Sequence, residues 1–403
     1  MLSRREFLAA TAGLAPLSAA TAVLGPLEAF SGAAWSLRSE LAASAPRARY
    51  WATPATPGVG CLTCHEPGIE RGAAGHLHQP TTVTCLLCAQ RCSIRPGARG
   101  RCRARENVKG ELRSLVYGRP AAIHVDPIEK KPFYHFLPGS AAFSIGTAGC
   151  PLRCKFCQNW ELSQASPEDH DATYVAPAKL AEAATARGAQ VVAFTYNEPT
   201  VFAEYMLDVA SEARRRGLRS VLVSCGFMTE IPLRDLCGAL DAIKIDLKGF
   251  SEQFYRDVSG ASLAPVLRSI RQVARSGVHL EIVNLVVPTL NDSDHSLVEL
   301  ARWVAGEVGP DVPIHFTRFH PDFQLRNLPP TPVATLERAR SVAIDAGLRY
   351  VYVGNVPGHA GNHTYCPACR KLIVERSAFF VTAMHVREGR CAFCRERIAG
   401  VWS

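Results

Sequence analysis

From residue 141 onward, short apolar runs rich in β-branched residues alternate with helical patterns, and this alternation restricts the fold more than any other feature of the chain. The runs lie at 141–146, 190–196, 219–224, 242–247, 279–287, 314–319 and 350–354. Helical spacing fills 177–187, 200–216, 264–276, 294–306 and 333–346. Several of these helices open after Pro, Ser or Asp, and several close near Gly217, Gly277 or Gly347. Near-continuous apolar strands separated by helices predict a parallel α/β sheet with the helices outside it. Six or seven such units predict a partial or full β/α barrel over 141–357, with a doubly wound open sheet as the alternative. Residues 358–403 break the pattern and read as a separate small module, and 81–140 read as a cysteine-bearing lead-in.

Fifteen cysteines are many for 403 residues, and they cluster. Pairs two residues apart suit metal chelation better than long-range cross-linking, so the chain reads as a metalloprotein. The stretch SIGTAGCPLRCKFCQNWE, at 144–161, follows the first run of the alternation and carries Cys150, Cys154 and Cys157 as C-x3-C-x2-C. In a β/α barrel, function gathers at the C-terminal ends of the strands, where this loop falls. Three thiolates on a [4Fe–4S] cluster leave one iron without a protein ligand. S-adenosylmethionine (SAM) can chelate that iron through its amino and carboxylate groups, and an electron from the cluster then cleaves its C–S bond to give a 5′-deoxyadenosyl radical. The bland alternative is a zinc knuckle completed by a distant histidine.

Two other sets have four thiols. Cys366, Cys369, Cys391 and Cys394 form two C-x2-C knuckles twenty-one residues apart. This is the pattern of a closed zinc ribbon or a rubredoxin-like iron site, and two disulfides are the competing reading. About forty residues build little core alone, so the role expected of a metal there is structural. Cys85, Cys88, Cys92 and Cys102 form C-x2-C-x3-C-x9-C, with a turn at Gly97–Gly100 bringing Cys102 back. Spacing leaves zinc and an auxiliary cluster both open for this set. Cys225 and Cys237 stand alone and read as small buried hydrophobes.

The first residues, MLSRREFLAATAGLAPLSAATAVLG, look like a twin-arginine export signal built on Arg4 and Arg5. Gly13 and Pro16 make the run a poor membrane span. The route carries folded proteins, which suits metal centres assembled before export; a signal left unused, with a cytoplasmic protein, is the alternative. Signal and linker occupy 1–57. An insert at 58–80 holds Cys61, Cys64 and His65 as C-x-x-C-H, the c-type haem attachment pattern, while His76 and His78 offer a small Cys2His2 zinc site instead. The formal net charge is +9, but the arginines are dispersed and form no basic block, so no nucleic-acid partner is expected.

With these residues in view, the chain resembles the radical SAM superfamily, within it the pyruvate formate-lyase-activating branch, and most closely the radical SAM enzyme of the AmmeMemoRadiSam system. The likeness is carried by CLLCAQRCSIRPGARGRCRARENVKGELRSLVYG, HVDPIEKKPFYHFLPGS, the C-x3-C-x2-C loop, TYNEPT, IDLKGF, RFHP and YCPACRKLIVER, spanning about 85 to 403. It implies a partial barrel of six β/α units, a cluster that binds SAM, and an electron donor such as a ferredoxin or flavodoxin. It also implies action on a protein or peptide. A small-molecule substrate, or an exported electron carrier with several metal centres, are the alternatives. Asn197 and Glu198 stand where the family grips the SAM amino group. Lys248, beside Asp246, stands where it pairs with the SAM carboxylate, and His320 matches a histidine that contacts SAM. Activating enzymes carry an Asp that helps hold a monovalent cation where this chain has Val223-Ser224-Cys225, with no carboxylate.

Overall fold

The computed structural model describes residues 38–53 and 81–403. The anticipated signal at Arg4 and Arg5, the Cys61–Cys64–His65 pattern, His76 and His78 lie outside the described residues. Chain contacts gather Glu40–Ser403 into one compact unit. It opens with a small antiparallel sheet, β1 (Trp51–Ala52), β2 (Val83–Cys85) and β3 (Ser93–Ile94), and a hairpin, β4 (Arg105–Val108) and β5 (Glu111–Ser114).

An eight-stranded sheet follows: β6 (Ala122–Pro127), β7 (Ala141–Gly146), β8 (Val191–Phe194), β9 (Arg219–Ser224), β10 (Ala242–Asp246), β11 (His279–Val286), β12 (Ile314–Arg318) and β13 (Val351–Gly354). Strands β7 to β13 are parallel and adjacent in chain order; β6 caps the β7 edge antiparallel, with Ala122 opposite Gly146. An order without reversal is that of a singly wound partial barrel, and the doubly wound alternative, which reverses, is set aside. Seven parallel strands joined by six helical crossovers match the six expected units.

The crossovers are α1 (Pro177–Ala186), α2 (Ala203–Arg215), α3 (Glu230–Ala239), α4 (Leu263–Ser276), α5 (Asp294–Glu307) and α6 (Val333–Asp345). Helix α4 shows why they form. Val266, Ile270 and Val273 recur on one buried stripe, and Gly277 closes the helix at φ +82°, which costs least without a side chain. Helix α3 has no counterpart among the sequence-expected helices. Its Pro232 sits in the first turn, where a missing N–H breaks no intrahelical bond.

Period-two alternation divides the sheet's faces. Phe143, Ile145, Val192, Phe194, Leu222, Ile243 and Ile245 pack against the helices in the main core. On the other face, Ala142, Ala193, Val221 and Ala242 close over Ile128, Phe133 and Phe136, while polar residues approach the strands' C-terminal ends. The last module holds β14 (Thr364–Tyr365), β15 (Leu372–Ser377), β16 (Phe380–Met384) and a hairpin, β17 (Val386–Arg387) and β18 (Arg390–Cys391). Among the described residues, no helix is long and apolar enough to cross a membrane.

Candidate active site and metal centres

The loop after β7 carries the first three thiols. Cys150 and Cys154 are buried and Cys157 is half-buried. Backbone bonds from Arg153 N to Ser259 O and from Lys155 N to Val258 O, both 2.9 Å, fasten the loop to the segment before α4. Gln324 N donates 2.9 Å to Lys155 O, and Trp160 stacks on Phe323 at 5.3 Å, so the loop beyond β12 closes against it from the other side. Gly149 has φ +93°, and a Cβ there would run into the Cys102 carbonyl. Both facts demand glycine before the first ligand.

Asn197 and Glu198 follow β8 through Tyr196, whose φ of +77° turns the chain sharply. Asn197 Nδ2 donates 2.7 Å to Gly149 O, and its Oδ1 accepts from Thr147 N at 3.3 Å, bracing the thiol loop. The Glu198 carboxylate is committed inside the protein. Oε1 accepts from Thr200 N, Thr200 Oγ1 and Ser224 Oγ, and Oε2 from Cys225 N at 2.6 Å. It therefore ties the end of β8 to the end of β9. Cys225 is buried, as expected, but it lies in the site wall. Burial, then the Glu198 and Cys150 charges, push its thiol well above the ordinary range.

Lys248 lies just past β10. Its Nζ donates 2.7 Å to Asp246 Oδ2 and sits 5.9 Å from the Phe156 ring centroid. Burial opposes its charge, but Asp246 and the Cys154 thiol outweigh that and hold it protonated. Asp246 also takes an ion pair from Lys244. Burial raises the Asp246 carboxyl, yet the two lysines together hold it down at about 2. Lys244 was not among the sequence-expected site residues, although positions 244, 246 and 248 share one strand face by simple alternation. Asn284 and Asn291, also unforeseen, donate to Leu247 O at 2.7 Å and Lys248 O at 2.8 Å and fix this segment. His320 is exposed two residues beyond β12, on the same rim.

Burial pushes the Cys150 thiol well above its ordinary range and Cys154 up to about 11, the latter tempered by Lys248. Metal coordination replaces such protons outright. The three thiols do not converge on one point as a single ion requires, whereas a cubane spreads its ligands over separate irons; three soft donors fit that group.

A single-ion site looks different. The sulfurs of Cys366, Cys369, Cys391 and Cys394 lie within 4.8 Å of one another, with Cys366–Cys394 at 3.5 Å and Cys369–Cys391 at 3.8 Å. Four sulfurs about 2.3 Å from one ion in a tetrahedron stand about 3.8 Å apart. The Lys371 N–H aimed at Cys369 draws that thiol down to about 7, which favours metal binding. Every described cysteine is a free thiol, so the disulfide reading gains no support. Cys85 ends β2 and Cys92 precedes β3, and with Cys88 and Cys102 they do not form such a close group among the described residues.

A singly wound β/α sheet whose mouth gathers three loop thiols and a row of buried Lys244 and half-buried Asp246 and Lys248 is the framework of a metallocluster enzyme. The chain belongs to the radical SAM superfamily. The model of that superfamily matches residues 144–304. The chain is 41% identical over 318 residues to an uncharacterized protein of Methanocaldococcus jannaschii, covering 78% of this chain and 95% of that one. It is 21% identical over 220 residues to the pyruvate formate-lyase 1-activating enzyme of Escherichia coli, covering 51% and 89%. Among solved structures, a domain of pyruvate-formate lyase-activating enzyme from Bacteroides vulgatus aligns over 41% of this chain and 98% of its own, at 16% identity and a TM-score of 0.37. Membership implies a [4Fe–4S] cluster and SAM as cofactors.

Proposed function

We propose that this radical SAM enzyme activates or modifies a protein or peptide, and that it is nearest in kind to the radical SAM enzyme of the AmmeMemoRadiSam system. The observation that carries the reading is the donor set: three thiols, Cys150, Cys154 and Cys157, on the one loop after β7. When bound, the cluster supplies an electron to SAM and generates a 5′-deoxyadenosyl radical that abstracts hydrogen. Cys150, Cys154 and Cys157 are the ligands. Lys248, kept charged by Asp246, would hold the SAM carboxylate, and His320 would contact SAM from the rim. Asn197 acts through the loop it braces.

A protein target is supported by relatives named as activating enzymes of pyruvate formate-lyase, isethionate sulfite-lyase and benzylsuccinate synthase. A ferredoxin or flavodoxin suits the electron supply, zinc or iron suits the C-terminal thiols, and the twin-arginine pattern suits a place facing outward. The test adds fractionated host lysate to the reconstituted enzyme and follows 5′-deoxyadenosine. Stimulation by the fraction retained on dialysis, abolished by protease, is expected. Stimulation confined to the dialysable fraction would replace the protein target with a small molecule.

A further inference from the structure

The four N-terminal thiols are brought to one place by separate pieces of chain. Cys85 ends β2, and its N–H bonds Cys92 O at 2.9 Å across the hairpin to β3. Cys88 bridges to Met228, and Arg101 N donates to Cys92 Sγ at 3.4 Å, placing the neighbour of Cys102 against the third thiol. Every pair of the four lies within electrostatic range: Cys85 feels Cys92 and Cys102, Cys88 feels all three others, and Cys102 feels Cys92. Yet no three of them converge as the C-terminal sulfurs do. The same chain thus contains a single-ion arrangement and a wider four-thiol arrangement.

A second observation marks what fills the wider one. Arg105 is 1% exposed and opens β4, three residues after Cys102. Its Nη2 pairs with Glu204, but Nε and Nη1 are buried with no hydrogen-bond partner. Cys85 and Cys102 are in electrostatic contact with this guanidinium. Glu204 balances the charge, but two buried N–H groups without an acceptor are costly until something accepts from them. Four neutral thiols supply no charge; four thiolates on a metal centre supply net negative charge, and an iron–sulfur core alone adds inorganic sulfides as acceptors for Nε–H and Nη1–H.

We propose that Cys85, Cys88, Cys92 and Cys102 hold a second iron–sulfur cluster, with Arg105 as its buried counter-charge. Having four protein ligands, this cluster keeps no position for SAM. It lies against the primary loop: the Cys102 carbonyl abuts Gly149, Gln90 Nε2 donates 3.2 Å to Pro151 O, and Arg153 Nη2 donates 2.6 Å to Arg101 O.

The test uses the full chain with Cys150, Cys154 and Cys157 all changed to Ala, reconstituted anaerobically with iron and sulfide beside the wild type. The expected triple variant keeps about half of the wild-type acid-labile sulfide for a [4Fe–4S] core, or about a third for a [2Fe–2S] core, and a reduced-cluster EPR signal that SAM does not move. Adding Cys88→Ser abolishes both. Adding Arg105→Gln instead keeps the sulfide but shifts the midpoint potential. A triple variant without labile sulfide would overturn the proposal, as would zinc at the N-terminal thiols or sulfide that survives Cys88→Ser. Should the triple variant fail to fold, the wild type decides: labile sulfide for one cluster, all of it SAM-responsive, overturns the proposal, and a SAM-silent second signal supports it.

Discussion

Asn197 Nδ2 donates 2.7 Å to the carbonyl of Gly149, the residue before Cys150, so the turn after β8 holds the thiol loop after β7. Removing this donor leaves a partly buried carbonyl without its partner, a cost of about 1–2 kcal/mol. Asn197→Ala is therefore expected to lower the melting temperature slightly and to speed loss of cluster iron to a chelator severalfold. Chelation kinetics at constant pH check this; an unchanged rate would show that the brace does not control the loop.

Lys248 and Asp246 make the second prediction. Lys248→Met should raise the Kd for SAM roughly ten- to hundredfold, matching the about 1.5–3 kcal/mol of a charge-assisted hydrogen bond. Cluster absorbance should not change. Asp246→Asn should act in the same direction, because it leaves the charges of buried Lys244 and half-buried Lys248 without their shared partner. SAM titration by EPR measures both.

His135 gives a pH dependence. Its Nδ1–H donates to Ala399 O, and Nε2 accepts from the Tyr352 hydroxyl, which fixes the neutral tautomer. Burial, opposed by Glu281, lowers its pKa to about 3. The unfolded chain takes up this proton near pH ~6.5 and the native chain only near 3. Between these values unfolding binds a proton, so acid favours the unfolded state. Stability is full above pH ~6.5 and falls by about 1.4 kcal/mol per pH unit as the pH drops toward 3. His315, lowered by burial in the same direction, steepens the slope. Denaturant melts from pH 7 to 5 should show the fall, and His135→Gln should flatten it.

The C-terminal thiols predict a bound metal ion that organises the last module. Cys369→Ala should lose that ion and make residues 364–394 cleavable by added protease, while the barrel's unfolding transition changes little. Metal analysis and limited proteolysis read the two effects separately. An intact module without metal would contradict the structural role.

Much of this was legible beforehand, for physical reasons. All seven parallel strands lay in apolar runs, because a strand covered on both faces must be apolar throughout. Helix ends at Gly217, Gly277 and Gly347 were readable from the left-handed turn. Helix α3 escaped because Pro232 and Gly238 mimic a loop. At the site, the thiol spacing was visible, but the engagement of Glu198 with Ser224 and Cys225 was not: it joins residues twenty-six and twenty-seven positions apart through the register of two strands. The inward Lys244 was readable in principle from the alternation through Asp246 to Lys248. Arg105 facing Cys85 and Cys102 was not, since nothing local distinguishes it from the chain's many surface arginines.

The most direct test of radical SAM chemistry at the Cys150–Cys154–Cys157 loop is 5′-deoxyadenosine formation. The enzyme is reconstituted anaerobically, reduced and given SAM, with Cys157→Ala run in parallel. Product from the wild type, absent from Cys157→Ala, is the predicted result. A wild type that holds its [4Fe–4S] cluster, yields no product and shows no EPR response to SAM would contradict the assignment and point instead to an electron carrier.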